Sequence, residues 1–380
     1  MIKNILYISR LDPHDLKSWS GLNYFILRCL KKKKFKITVI GKLSNRIRLF
    51  YIPKRYFFSK FNIKFSIDRP ISVAKDFACQ INKKIKNLKY DAIVTSDSNA
   101  ISFLNTKKPI FLWTDLTFST YYKHYFSNLK IHQDTLSHGN FCQKLALKNS
   151  YKIILTSKWA VNEAIKKYSI SKKFFHVLPF GANLIYPPKK SFVIKNILNK
   201  KFDICKLITI GVDWNRKGIE KSINLAKLMN EKGQKTKLYI IGAKKLNNLR
   251  STDDIIFINF LNKNSIIDNR IFSKYFINSH FHILFTKAEG CGVVFAEASA
   301  FGVFSITHDL GGIPEMVSNG INGRRFDPQN DDLDKISDYI INIFNDKKKF
   351  IRKSLLSRNQ YDKKLNWDVI GDKLIKIINS

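Results

Sequence analysis

The chain alternates short apolar runs with longer stretches whose apolar positions recur every three or four residues, which is how strands and helices succeed one another in an α/β protein. Residues 2–8 read as a first strand, and Leu22, Phe25, Ile26, Cys29 and Leu30 lie at helical spacing behind Ser20-Gly21. Residues 35–40 complete a βαβ opening, whose first turn lies at the carboxyl edge of the sheet, where such folds bind ligands. The alternation continues with a helix over 71–88, strands at 92–95, 110–113 and 153–156, a helix behind Ser157, and a strand at 174–178. Residues 184–201, with Pro187-Pro188, have linker composition and mark a domain boundary. A fresh βα series then opens. It has strands at 207–210, 238–241, 255–260, 281–285 and 303–307, an amphipathic helix carrying Ile219, Ile223, Leu225, Ala226 and Leu228, and an amphipathic last helix over 367–378.

One stretch of this second series concentrates chemistry. Residues 287–300 read KAEGCGVVFAEASA: a strand precedes them, and small helix formers close them. Gly290 and Gly292 at that strand-to-helix junction let bare amides approach an anion where the helix dipole favours negative charge. Glu289 and Glu297 flank the turn. Carboxylates accept, so they suit hydroxyl donors such as ribose or sugar, not phosphate. A cradle for an anion with a hydroxyl acceptor on each side fits a nucleotide sugar. Taken alone, however, EGxG is more commonly a loop glycine pair beside solvated glutamates. Arg216 and Lys217 sit in the turn after strand 207–210, where they would reach a diphosphate; the plain alternative is a solvated basic turn. Asp115 directly follows strand 110–113, as an active-site carboxylate or equally as a helix N-cap. Pro314 and Glu315 after Gly311-Gly312 make a good helix start. His124, His132 and His138 are too irregularly spaced for a metal site.

Composition narrows the class. At 380 residues, 44% hydrophobic and 13% aromatic, the chain is globular and long enough for two domains. It has no run of eighteen apolar residues, and its start is too quickly polar for a signal peptide. Five scattered cysteines without CxxC spacing point to a reduced, cytoplasmic interior. The net charge of +38 accompanies a lysine, asparagine, isoleucine and phenylalanine bias typical of AT-rich coding, yet its field would attract an anionic membrane surface. The lysines are spread, the Lys31–Lys34 run included, without the clustered arginine of nucleic-acid readers, so no specific nucleic acid is expected. The aromatic, basic stretch 51–68 is either packing or a patch facing acceptor or membrane.

The ordered blocks SG near the amino end, TSKWAVNEA, LPFGAN, GVDWNRKG, EGCGVVFAEA and GGIPEMVSNGINGRRFD resemble the retaining glycosyltransferases of family four, the "glycosyl transferases group 1" type. The resemblance implies the GT-B fold, two Rossmann-like domains facing across a cleft. Residues 1–183 would be the acceptor-side domain, with a terminal helix 362–380 packing back onto it, and 184–361 the nucleotide-sugar domain. It implies Glu297 on the ribose, Glu289 on the donor sugar, and Arg216 and Lys217 on the diphosphate. The Gly290, Cys291, Gly292, Val293 and Val294 backbone would cradle the phosphates, and Gly21 would close a first-domain loop against them. Asp115 falls where relatives place an acidic or histidine side chain near the reacting carbon. One departure is Val212, where many relatives carry arginine. The expected activity is metal-independent, retaining transfer from a nucleotide-diphospho-sugar to a glycan or lipid-linked acceptor in polysaccharide or lipopolysaccharide synthesis, without a separate cofactor, at the cytoplasmic face of a membrane. A nucleotide-sugar epimerase, a phosphorylase, or a basic binding protein on an inactive scaffold are the alternatives.

Overall fold

A computed structural model describes residues 2–44, 46–243 and 251–380. The chain divides into two compact units, Met1–Pro179 with Gly371–Ser380, and Phe180–Ile370.

The first unit is built on six parallel strands: β1 (Asn4–Ile8), β2 (Lys36–Ile40), β3 (Ala92–Thr95), β4 (Ile110–Thr114), β5 (Lys152–Leu155) and β6 (Phe175–Val177). They run in the order β2-β1-β3-β4-β5-β6. Ile8 pairs with Ile40 on one side and Thr95 on the other. Leu6, Ile8, Ile93, Leu112 and Ile153 are buried in one core with Val73, Phe77 and Ile81 of the helix Ile71–Ile85. Continuous apolar strands are what a parallel sheet covered on both faces requires. The fully buried Trp113 places its indole N–H 3.0 Å from the Leu178 carbonyl.

The second unit repeats the plan with β7 (Cys205–Ile210), β8 (Thr236–Ile241), β9 (Ile255–Ile258), β10 (Phe281–Leu284), β11 (Phe304–His308) and β12 (Gly323–Phe326). Their order is β9-β8-β7-β10-β11-β12, again all parallel. Strand order reverses beside β1 in one sheet and beside β7 in the other. Ligands of such sheets bind outside the carboxyl ends at those reversals.

Three expectations need correction. Residues 184–201 are not simply a linker: the helix Lys190–Leu198 lies within them and buries Val193 and Ile197, four residues apart, on one face. The unit boundary falls at Pro179, ahead of the expected 183, because Phe180 is fully buried, stacking on Trp367, and Ala182 N–H donates to the Leu365 carbonyl at 2.9 Å. The returning segment begins at Gly371 and not at 362, since Tyr361 and Leu365 are buried within the second unit. From Gly371 onward the last helix, Trp367–Asn379, packs on the first unit. Lys152 Nζ donates to the Ile377 carbonyl at 2.9 Å, and a side chain at Gly371 would meet Cys29 Sγ at 2.7 Å.

Candidate active site

In the second unit, the loops after β7 and β10 are pressed together. Asp213 accepts from the Arg216 N–H at 3.0 Å and so starts the single-turn helix Trp214–Lys217. That turn ends at Gly218, φ +63°, where a Cβ would lie 2.2 Å from the Phe285 carbonyl oxygen; only glycine lets the two loops touch. The Arg216 carbonyl then accepts from the Lys287 N–H at 2.7 Å and the Thr286 hydroxyl at 3.0 Å. This stitching carries both cations to Glu289. Lys217 Nζ lies 2.5 Å from Glu289 Oε2, and Arg216 Nη1 lies 3.7 Å from the same oxygen while donating to the Ala288 carbonyl at 3.1 Å. Glu289 is 8% exposed, so its charge is held by these neighbours in place of water.

Gly292, φ +79°, caps the helix Val293–Ala300, whose first amides have no intrahelical acceptor by position. The turn is locked from the side: a Cβ at Gly312 would stand 1.8 Å from the Gly290 oxygen, and the Gly312 N–H donates to the Glu289 carbonyl at 3.0 Å. The GGIPE element therefore braces the loop that carries Glu289. Cys291 is buried with its thiol 3.7 Å from Met316 Sδ, which leaves only its backbone to the turn. Glu297, 3% exposed, lies on the helix and pairs with Lys263 Nζ at 2.5 Å. Lys263 also donates to the Asn183 carbonyl at 3.2 Å.

Lys263 was not singled out from the sequence. Its only signal is a lysine five residues past β9, at the carboxyl end of the sheet. Val212, at the departure from the family pattern, is 58% exposed and supplies no charge. A cavity of about 710 Å³ in the same unit, bordered by Leu184, Tyr186, Phe192, Ile266 and Phe272, contains none of the expected site residues.

In the first unit, Trp19, Ser20 and Gly21 are three successive residues at positive φ (48°, 55°, 79°), and Gly21 caps the helix Leu22–Lys32. Side chains seldom tolerate that region, so the turn is held against its own preference. Asp115 does not cap the following helix; Thr117 occupies that position for Phe118–Tyr125. Asp115 Oδ1 accepts from the Leu116 N–H at 2.8 Å, and the residue lines a cavity of about 250 Å³ with Arg10, Trp19, Arg69, Asp97 and Gln143. The structure thus brings Arg216, Lys217, Glu289 and residues 290–294 together in one unit. Gly21 and Asp115 lie at the carboxyl edge of the other sheet.

Residues 192–361 match the family described as Glycosyl transferases group 1. The capsular polysaccharide biosynthesis glycosyltransferase CapM of Staphylococcus aureus is 25% identical over 249 residues, 63% of this chain and 64% of that protein. A GDP-mannose-dependent monoacylated alpha-(1-6)-phosphatidylinositol monomannoside mannosyltransferase of Corynebacterium glutamicum is 29% identical over 92 residues, 24% of this chain and 23% of that one. The matches therefore span less than two thirds of either relative. Among solved structures, sucrose-phosphate synthase from Thermosynechococcus elongatus superposes with a TM-score of 0.71 at 15% identity, covering 99% of this chain and 98% of its own. HepE of Anabaena, solved with UDP and glucose, gives 0.65 at 15% identity over the whole of both chains. WaaG, described as a glycosyltransferase involved in lipopolysaccharide biosynthesis, gives 0.66 at 13% identity, covering 98% of this chain and 99% of its own. Residues 192–361, less than half of the chain, are thus similar to the group 1 glycosyltransferases, and the whole chain carries the GT-B fold of two Rossmann-like domains.

Proposed function

We propose that the protein transfers a sugar from a nucleotide-diphospho-sugar, with retention at the anomeric carbon, to a glycan or lipid-linked acceptor of the cell-surface polysaccharide or lipopolysaccharide kind. The observation that carries this reading is the pair of buried carboxylates, Glu289 and Glu297, on either side of a glycine-led helix start, each held by a lysine at 2.5 Å. Hydroxyls are the natural ligands of such acceptors. Glu297 would take the ribose and Glu289 the donor sugar, and Lys217 and Arg216 would turn to the diphosphate lying against the amides of Gly292, Val293 and Val294. The bond from the anomeric carbon to the phosphate oxygen breaks, one to the acceptor oxygen forms on the same face, and the acceptor hydroxyl's proton passes to the departing phosphate oxygen. The transition state is oxocarbenium-like, and the charge that develops falls on the departing diphosphate. The cationic pair would stand in for a metal, and no separate cofactor is needed. Gly21 and Asp115 would serve the reacting end of the donor from the first domain. The reading places the protein at the cytoplasmic face of an anionic membrane, supported by its +38 charge and its exposed aromatic residues near Phe57.

A thermal-shift screen over nucleotide sugars tests the donor: at a hundred times its dissociation constant the right one adds about 2.7 kcal/mol of stability. With that donor, Lys217→Ala lowers turnover about a hundredfold, the scale of one lost transition-state interaction. Transfer continues in EDTA. No stabilising nucleotide sugar, or a Lys217→Ala enzyme at wild-type rate, would overturn the reading.

A further inference from the structure

The cavity of the first unit holds more hydrogen-bond donors than the protein itself satisfies. Gln143 is 2% exposed, and its Oε1 accepts from the Phe118 N–H at 3.1 Å and from the Ser98 hydroxyl at 3.0 Å. A backbone N–H can only donate, so it fixes which end of the amide is the oxygen. Gln143 Nε2, in consequence, is a buried donor with no partner. Asn23, 3% exposed, lines the same cavity: its Oδ1 accepts from the Tyr7 hydroxyl at 2.8 Å and the Ser96 hydroxyl at 2.7 Å, and its amide nitrogen makes no hydrogen bond among the described residues. Arg69 supplies a third donor set. Its guanidinium lies over the Phe118 ring, 4.9 Å from the centroid, and forms no ion pair among the described residues.

The neighbouring charges do not make up the deficit. Asp97 is taken by Arg10, 2.9 Å away, and it also caps the turn Ser98–Ile101 through the Asn99 N–H at 3.2 Å. Burial, and next the Arg10 charge, push the Arg69 guanidinium below its ordinary value, as expected of a cation short of counter-charge. Buried amides and guanidinium groups left without acceptors are costly, and functional sites are where proteins keep them. Trp19, Phe118 and Tyr121 add aromatic faces to the lining. At about 250 Å³ the cavity is small for a ligand pocket and suits one sugar unit, not an oligosaccharide.

Resting on the transferase reading, we infer that this cavity binds the acceptor through an anionic substituent, a uronate carboxylate or a sugar phosphate, received by Arg69, Gln143 Nε2 and Asn23 Nδ2. A guanidinium beside amide donors matches the oxygens of either group. Asp115 lines the same cavity.

The test uses the full chain and three probes at one ionic strength: glucuronate, glucose 6-phosphate and methyl glucoside, titrated by calorimetry or ligand-observed NMR. At least one anionic probe should bind about tenfold or more tightly than the neutral one, the scale of a charge-assisted contact. Preference for glucuronate names a uronate acceptor, and preference for the phosphate names a phosphorylated one. Arg69→Met and Gln143→Leu should each remove the preference, Arg69→Lys should keep part of it, and Lys217→Ala should leave it intact. Equal affinity for charged and neutral probes, or a preference that survives both Arg69→Met and Gln143→Leu, overturns the inference. Nucleoside diphosphate binding is measured on the same samples. An unchanged melting temperature and circular dichroism spectrum show that each variant is folded, and absence of nucleoside diphosphate binding from the wild-type protein would sink the transferase reading while leaving the probe comparison readable.

Discussion

Gly312 shows how much of the site hangs on single atoms. Its missing side chain leaves room for the Gly290 carbonyl, and a Cβ there would be 1.8 Å from that oxygen. Gly312→Ala must push the Glu289 loop away, so we expect a loss of about 3 kcal/mol or more and weakened nucleotide binding, read as a fall in melting temperature and in affinity. Gly320→Ala is the control. Its φ is +79°, but a Cβ there meets nothing within 4 Å, so it should cost only about 1–2 kcal/mol. Equal effects at the two positions would refute the bracing role of Gly312. At this scale the sequence marked Glu289, Glu297, Arg216 and Lys217 as candidates, and the fold brings Arg216 and Lys217 to Glu289. The sequence could not carry Lys263, which reaches Glu297 from 34 positions away and only through the fold. The donor surplus of Gln143 was equally hidden. It arises because the Phe118 N–H consumes the amide oxygen, a contact that no spacing announces.

Among elements, the parallel strands were the most legible, because strands covered on both faces must be apolar throughout. Helices under compositional bias were harder to read. Lys190–Leu198 follows two prolines, and its exposed Phe192 and Leu198 stand beside the buried Val193 and Ile197, so no clean apolar face announced it. The stretch 51–68 resolves into the helix Ile52–Ser59 and its flanks, where Phe58 stacks on Phe65 but Phe50, Tyr56, Phe57 and Phe61 are more than half exposed. Phe57 and Phe61 touch, their ring centroids 5.3 Å apart, and no acidic residue occurs from 43 to 67. A basic helix with exposed aromatics is suited to an anionic bilayer surface. Phe50→Ser with Phe57→Ser should therefore abolish co-sedimentation with phosphatidylglycerol vesicles at low salt and leave donor binding unchanged. Undiminished sedimentation of the double variant would remove this helix from the membrane contact.

For the whole molecule, buried imidazoles limit acid tolerance. His280 and His282 are 1% and 0% exposed, and burial first, then nearby lysines, lower both from 6.5 to about 3. They stay neutral when folded, whereas the unfolded chain takes up protons below about pH 6.5. Their contribution is complete above that value and is lost as pH falls from 6.5 toward 3, at up to about 1.4 kcal/mol per pH unit for each group. Both lie in the second unit, so melting followed from pH 7.5 to 4 should show that unit failing first. A flat melting temperature across the range would contradict the assignment. The Lys217–Glu289 bond has a consequence of a different kind. Whatever parts these two must content both at once, with oxygens for the ammonium and hydroxyls for the carboxylate. If the donor binds as proposed, an intact sugar nucleotide would do so, whereas the spent nucleotide would bring Glu289 no sugar hydroxyl. Re-forming the 2.5 Å contact would then favour release of what remains after transfer.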